Sequence, residues 1–284
     1  MPELPEVETV RKGLAKQLLG GAIENIDLRR EGLRFPFPQE LKERLEGSVI
    51  VSIDRRAKYL LIRMDSGFVW LVHLGMTGKF TLYHPNEKPS EFAKHDHVIV
   101  SMKDGTVATY NDPRRFGYMD LIKPDEEWTN RHLARLGCEP LSDDFDTANL
   151  CDKLKGKKNP IKIALLDQRI VAGLGNIYVC EILHRAGVSP RRLSSSIAGK
   201  NGKSTKMAKK IVDETKQVLR EAIEAGGSTI SDFATVDGDI GYITHSFTVY
   251  GRDGEDCSKT NCVGIVSKIV QGGRSTFFCS KCQR

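Results

Sequence analysis

Tyr59-Leu60-Leu61-Ile62-Arg63-Met64, then Asp65-Ser66-Gly67, then Phe68-Val69-Trp70-Leu71-Val72-His73-Leu74, is the stretch that decides the fold. Two runs rich in β-branched and aromatic residues, split by three turn formers, read as an antiparallel hairpin. Working outward, the device recurs. Val49-Ile50-Val51-Ser52-Ile53 precedes it as a further strand. Val98-Ile99-Val100-Ser101-Met102, Asp104-Gly105 and Val107-Ala108-Thr109-Tyr110 form a second strand–turn–strand, and Tyr118-Met119-Asp120-Leu121-Ile122 closes the set. Several short strands with turns between them predict a sandwich or flattened barrel for this part of the chain.

Ahead of the strands, Met1-Pro2-Glu3-Leu4-Pro5-Glu6-Val7-Glu8-Thr9-Val10 opens a helix. Val7, Val10, Leu14 and Leu18 share one face of it, Pro5 suits the first turn, and Gly20-Gly21 ends it. Glu6 and Glu8 complement the positive end of the helix dipole. With Met1 removed, Pro2 becomes a terminal secondary amine beside that positive end. The field disfavours its protonated form, so more free amine exists near neutrality than the usual α-amino pKa of about 8 allows. A free amine attacks a sugar's anomeric carbon to give an iminium, and Glu3 is placed to move protons. On these ten residues alone, however, an ordinary capped helix is the preferred reading.

The 284-residue chain accommodates one large domain or, more comfortably, two, and its 39% hydrophobic and 28% charged residues are an ordinary globular balance. No apolar run reaches membrane-spanning length and the acidic start is not a signal peptide, so a cytosolic location is expected. The net charge of +6 is unevenly spread: residues 151–220 carry 16 Lys/Arg against 5 Asp/Glu. A local excess of that size fits a polyanion, nucleic acid first. A solvated lysine-rich face is the plainer alternative.

From Lys123 the chain turns polar and acidic, through Pro124-Asp125-Glu126-Glu127 to Asp143-Asp144-Phe145-Asp146, and a linker is expected there. Helical texture follows at Ile161–Asp167 and Val171–Tyr178, then in helices over about 179–185 and 206–225, with a lysine-rich loop at Gly199-Lys200-Asn201-Gly202-Lys203. Gly173-Leu174-Gly175-Asn176 could turn backbone N–H groups towards a phosphate, although helix-to-helix punctuation explains it as well. Asn111-Asp112-Pro113-Arg114-Arg115-Phe116-Gly117 combines turn residues with two cations and an aromatic. Such a loop could wedge into a duplex, as could the flexible side chain in Gly75-Met76-Thr77-Gly78. Four of the seven cysteines lie near the end as Cys257-x4-Cys262 and Cys279-x2-Cys282. Two close pairs around a strand-like segment predict a zinc ribbon, a closed four-thiolate structural site.

Taken together, PELPEVETV, RRAKYLL, HLGMTG, KHDH, NDPRRFG, LLDQRIVAGLGNIY and QGGRSTFFCSKCQ closely resemble bacterial formamidopyrimidine-DNA glycosylase, over essentially the whole chain and in order. The resemblance implies an α+β, multidomain architecture. Residues 1–125 would be a catalytic β-sandwich bearing the first helix, residues 126–245 a linker and helix–two-turn–helix domain, and residues 246–284 a zinc finger. It implies an enzyme that removes oxidised purines, 8-oxoguanine and formamidopyrimidines, from double-stranded DNA lying between the halves, and then nicks the strand. A single structural zinc ion and a monomer are expected.

By resemblance, Pro2 is the nucleophile, Glu3 the acid that assists sugar-ring opening, Lys58 the proton donor of β-elimination and Arg274 that of δ-elimination. Glu6 lies near the flipped base, and Met76, Arg114 and Phe116 fill the vacated stack. His73, His95, Lys157, Asn176 and Arg274 contact DNA. The Cys-x4-Cys spacing departs from the Cys-x2-Cys of many members, which bears on ligand geometry. Met1 must be lost for Pro2 to act. Two rivals remain: an endonuclease VIII-like glycosylase for oxidised pyrimidines, whose members typically open PEGPE, and a non-catalytic zinc-ribbon nucleic-acid binder. Leu4 and NDPRRF favour the purine branch over the first, and the presence of Pro2, Glu3, Lys58 and Arg274 argues against the second.

Overall fold

The structure, a computed structural model, describes residues 2–199, 202–227 and 247–284. Met1, the Lys200-Asn201 pair of the lysine-rich loop and residues 228–246 lie outside the described residues. The chain divides into two compact units, one of residues 1–134 with 223–244, the other of residues 135–222 with 245–284.

In the first unit, helix α1 (Leu4–Leu18) is followed by β1 (Ile23–Leu28), the short α2 (Leu41–Leu45) and seven strands. These are β2 (Ile50–Arg56), β3 (Tyr59–Met64), β4 (Val69–His73), β5 (Lys79–Tyr83), β6 (Asp96–Met102), β7 (Val107–Asn111) and β8 (Tyr118–Ile122). They form two four-stranded antiparallel sheets, ordered β1-β6-β7-β5 and β2-β3-β4-β8. The hairpin read from the sequence is present in register, with Arg63 opposite Val69 and Tyr59 opposite His73. One apolar core joins both sheets to α1, drawing Val7, Val10, Leu14 and Leu18 from the helix and Ile53, Leu60, Trp70, Val100 and Tyr110 from the strands. Burial of four such side chains stabilises the helix by several kcal/mol, at roughly 1.5–3 kcal/mol each.

The segment after β8 stays with this unit. Glu127 receives two hydrogen bonds from Arg63 at 2.6 and 3.1 Å, and the His132 ring lies 4.7 Å from that of Tyr118. The chain therefore leaves the unit at Ala134, some residues beyond the acidic onset.

The second unit holds α3 (Thr147–Leu154), α4 (Ile161–Leu166), α5 (Asn176–Ala186), α6 (Ser194–Ile197), most of α7 (Lys206–Glu224), and a hairpin of β9 (Val266–Gln271) with β10 (Arg274–Cys279). Helix α3 begins directly after the stretch read as linker: Asp146, the last of its acids, is the N-cap and accepts Asn149 N–H at 2.7 Å. A buried carboxylate on α5 ties down the chain that enters the cysteine ribbon. Glu181 accepts Thr248 N–H (2.8 Å) and Oγ1–H (2.5 Å), Val249 N–H (3.0 Å) and Tyr250 N–H (2.9 Å). Replacing it by Gln turns one acceptor oxygen into a donor facing donors. Glu181→Gln is expected to destabilise the protein by about 2–4 kcal/mol in a urea melt; a change below about 0.5 kcal/mol would contradict this account.

Candidate functional site

Glu3 is the N-cap of α1, and Glu6 closes a capping box by accepting Glu3 N–H at 2.8 Å. Both carboxylates are 1% exposed, and Pro2 is buried with them. Glu6 thus fixes the backbone one residue from Pro2. Gly227, at φ +87°, packs against it so closely that a Cβ there would lie 3.3 Å from the Glu6 Cγ.

The next turn of α1 reaches Lys58. Glu8 pairs with Arg11 at 2.9 Å and with Arg55 of β2 at 3.0 Å. Arg55 also donates through Nη1 to Ala57 O at 2.9 Å. Ala57 stands at φ +53°, the left-handed region, in the two-residue turn between Arg56 and Tyr59. That turn carries Lys58, which is 9% exposed. An alanine there is strained by roughly 1–2 kcal/mol, and the Arg55 bond holds it in place.

Beside the turn, an aromatic group surrounds His73. Its ring stacks on Tyr118 at 4.9 Å and 11°, and Tyr59 Oη lies 2.8 Å from Tyr118 Oη. Burial first, then the charges of Lys58 and Arg34, brings the His73 pKa down to about 3. Nδ1 accepts Gly75 N–H at 3.0 Å, so the neutral ring carries its proton on Nε2 and offers a donor there.

The loops that carry Met76 and Arg114-Arg115-Phe116 share one buried anchor. Asp112 accepts Thr77 Oγ1–H at 2.5 Å and Gly117 N–H at 2.8 Å, while Thr77 Oγ1 in turn accepts Arg114 N–H at 3.3 Å. The two backbones touch: a Cβ on Gly75 would come within 2.3 Å of Gly117 N, and one on Gly117 within 1.9 Å of Tyr110 Oη. Met76, half-buried, therefore stands on the same rigid base as Arg114 and Phe116, whose side chains are exposed and stacked at 4.8 Å. His95 borders this base through its carbonyl, which accepts Asp112 N–H at 3.1 Å, and His97 Nε2 lies 3.0 Å from Asp112 O. Burial lowers the His97 pKa, and the Arg30 guanidinium pushes the same way.

Nine sequence-selected residues, Pro2, Glu3, Glu6, Lys58, His73, Met76, His95, Arg114 and Phe116, thus belong to the first unit. Lys157, Asn176, Arg274 and the four cysteines belong to the second. There Gly272-Gly273, at φ +55° and +71°, make the tight β9–β10 turn that presents Arg274, which is exposed. Asn176 opens α5 and donates through Nδ2 to Ser275 O at 2.9 Å, next to Arg274. The fully buried Lys162 ammonium donates to the same carbonyl at 3.1 Å and to Thr276 Oγ1 at 2.7 Å. Of the glycine turn's amides, Gly173 N–H is taken by Gln168 Oε1 at 2.8 Å, so it is not one an anion could use. Lys157 is half-buried near Asp167.

The four cysteine Sγ atoms lie within 4.8 Å of one another, with Cys257–Cys282 at 3.8 Å and Cys262–Cys279 at 3.7 Å. Asn261 takes the left-handed conformation (φ +63°), which curls the longer first pair back towards the second. A Cβ on Gly264 would fall 2.6 Å from Cys279 Sγ, so only glycine fits beside the thiols. His184 Nε2 lies 3.3 Å from Cys257 Sγ. The cluster could hold one metal ion.

Two family models match the chain, the formamidopyrimidine-DNA glycosylase N-terminal domain over residues 1–119 and the H2TH domain of the same enzyme over residues 136–234. Both are domains of a DNA glycosylase. Curated proteins called formamidopyrimidine-DNA glycosylase are 50% identical in Methylorubrum populi, over 100% of this chain and 99% of that one, and 50% identical in Bradyrhizobium sp. strain ORS 278, over 100% of both. A solved MutM (Fpg) from Thermus thermophilus is 36% identical with a TM-score of 0.85, covering 99% and 98% of the two chains. A MutM in complex with carbocyclic 8-oxo-G containing DNA is 36% identical with a TM-score of 0.85, covering 100% of both. The chain belongs to the formamidopyrimidine-DNA glycosylase family.

Two outcomes test this geometry. His73 has a folded pKa of about 3, below the usual 6.5, so the unfolded chain binds the extra proton. Its stabilising contribution is complete above about pH 6.5 and declines as pH falls towards 3, by up to about 1.4 kcal/mol per pH unit. Melts from pH 7 to 4 should flatten in His73→Asn. Asp112→Ala, which leaves the buried Gly117 amide and the half-buried Thr77 hydroxyl without their acceptor, should cost about 2–4 kcal/mol in a denaturant melt.

Proposed function

We propose that the chain is a base-excision repair enzyme, a DNA glycosylase/AP lyase that removes 8-oxoguanine and formamidopyrimidines from duplex DNA and then opens the strand. The capped start of α1, with Glu3 and Glu6 buried beside Pro2 at the head of a full-length match to the family, is the observation that carries this reading. A MutM bound to 8-oxo-G containing DNA among the structural relatives supports the lesion class.

In this mechanism the Pro2 nitrogen, freed by loss of Met1, attacks C1′ of the flipped nucleotide. The N-glycosidic bond breaks, the base leaves with a proton, and an iminium links sugar and enzyme. Glu3 protonates the ring oxygen as the sugar opens. Loss of a C2′ proton expels the 3′ phosphate, and a second elimination expels the 5′ phosphate; Lys58 and Arg274 serve these two departures. Glu6 borders the flipped base. Met76, Arg114 and Phe116 occupy the gap it leaves, and His73, His95, Lys157, Asn176 and Arg274 hold the backbone. Neutral His73 contributes by donating Nε2–H rather than by charge.

Zinc is the metal we assign to the cysteines. Four thiolates at about 2.3 Å from a tetrahedral ion stand about 3.8 Å apart, close to the two Sγ separations above. The site is closed and structural, so zinc holds the 246–284 finger together and takes no part in the chemistry. A monomer working in the cytoplasm, with residues 1–125, 126–245 and 246–284 as its three working parts, completes the proposal.

Borohydride added to the processed enzyme with duplex DNA carrying 8-oxoguanine opposite cytosine should trap a covalent adduct. Pro2→Gly should abolish it, and oxidised thymine should react weakly. Preference for the pyrimidine lesion would reassign the substrate class, and no adduct at all would leave only a binder. Removing the metal with a chelator should release one zinc per chain and abolish duplex binding; full binding by metal-free protein would refute the structural role.

A further inference from the structure

Between β1 and α2 the chain folds a compact loop at residues 30–36 that none of the roles above uses. Leu33 N–H donates to Phe35 O (3.0 Å) and Phe37 N–H to Glu31 O (3.0 Å). Arg34 N–H donates to Gly117 O (3.1 Å), which joins the loop to the base of the wedge. Glycine is required at 32, where a Cβ would lie 2.5 Å from Phe35 O. The loop is thus closed on itself and tied to its neighbour. It lines a cavity of about 510 Å³ together with the side chains of Arg30, Arg34 and Phe35.

Both guanidiniums on that wall lack an anion. Arg30 Nε is buried with no hydrogen-bond partner, and among the described residues neither guanidinium makes an ion pair. Glu31, the acid of the lining, is exposed and pairs with neither. Arg34 instead lies over the Phe35 ring at 5.6 Å, leaving its N–H edge unused. The surroundings sharpen the deficit. Arg30 acts on His97, whose ring is 6.0 Å from that of His95, and Arg34 acts on His73. Arg30, half-buried with its Nε lacking a partner, and the exposed Arg34 thus line one open pocket without an anion between them, an arrangement that suits an oxyanion.

We propose that Arg30 and Arg34 form an additional phosphate site, filled by a backbone phosphodiester of the bound DNA. This rests on the DNA-repair reading above and extends it: the loop would bridge the His95 side and the His73 side of the first unit. Two guanidinium forks suit a phosphate's oxygens, and a loop already closed by its own hydrogen bonds needs little reordering to receive one.

The test compares wild type with Arg30→Gln, Arg30→Lys and Arg30→Gln/Arg34→Gln, all with zinc in place. The salt dependence of duplex binding is read first. The slope of log K against log salt should fall by about 0.9 for Arg30→Gln and about twice that for the double variant, with Arg30→Lys close to wild type. Titration of wild type with inorganic phosphate should move the Arg30 Nε–H resonance, a readout that survives even if a Gln variant fails to fold. An unchanged slope in folded Arg30→Gln overturns the site as a DNA contact. A shifted resonance with an unchanged slope identifies a pocket for free phosphate instead and equally overturns it. Borohydride trapping by wild type is run in parallel. No adduct alongside the expected slope change would sink the repair chemistry while leaving the phosphate site intact.

Discussion

The Glu8–Arg55 pair is the constraint on which the start of α1 and the Ala57-Lys58 turn depend. Apolar burial sets α1 on the sandwich but allows it to slide or turn a little, because dispersion and hydrophobic contacts have no direction. A charge-assisted pair at 3.0 Å between side chains 15% and 11% exposed removes that freedom. It also continues outward, since the same guanidinium grips Ala57 O and holds a left-handed turn closed. The residues at the head of α1 and the lysine after Ala57 are therefore registered against each other through one side chain.

Electrostatics elsewhere in the unit follow from burial more than from pairing. His73 is kept neutral by the aromatic group around it and by the cations nearby, so its Nε2–H is a donor whose state does not vary near neutrality. Asp112 works the opposite way, as a fully buried acceptor that gathers a hydroxyl and an amide from two loops. One group avoids charge and the other gathers donors. Both serve to make nearby backbone rigid before any ligand arrives, which lowers the ordering cost of binding.

Much of this fold was legible in the sequence. Strands flanked by Asp-Gly or Asp-Ser-Gly are plain in the sequence, and Tyr59–Met64 and Tyr118–Ile122 fall where runs of apolar and aromatic residues place them. β1 is not legible in the sequence because Glu24, Asn25 and Asp27 dilute it, as suits a strand at the edge of its sheet. β5, opening on Lys79 behind Gly78, gave no run long enough to read. α3 was hidden because the acids around Asp146 look like linker until one of them is seen capping a helix. For the site, local motifs and the family resemblance supplied residue identities. They could not supply what depends on distant partners: Glu8 with Arg55, the Tyr118 ring on His73, or Glu181 beneath Thr248–Tyr250. Charge counting did flag residues 151–220, yet it could not separate Lys162, buried and bonded to β10, from lysines facing water.

The contact of Gly75 with the Phe116–Gly117 backbone carries a consequence for how this family can diversify. Two loops some forty residues apart in sequence behave as one casting, because no side chain can be inserted between them without prising the halves apart. Evolution can exchange what the casting displays, at Met76, Arg114 or Phe116, but cannot retune the spacing between those displays one mutation at a time. Novel shapes for this pair of loops must therefore come from side-chain swaps, or from replacement of both loops at once.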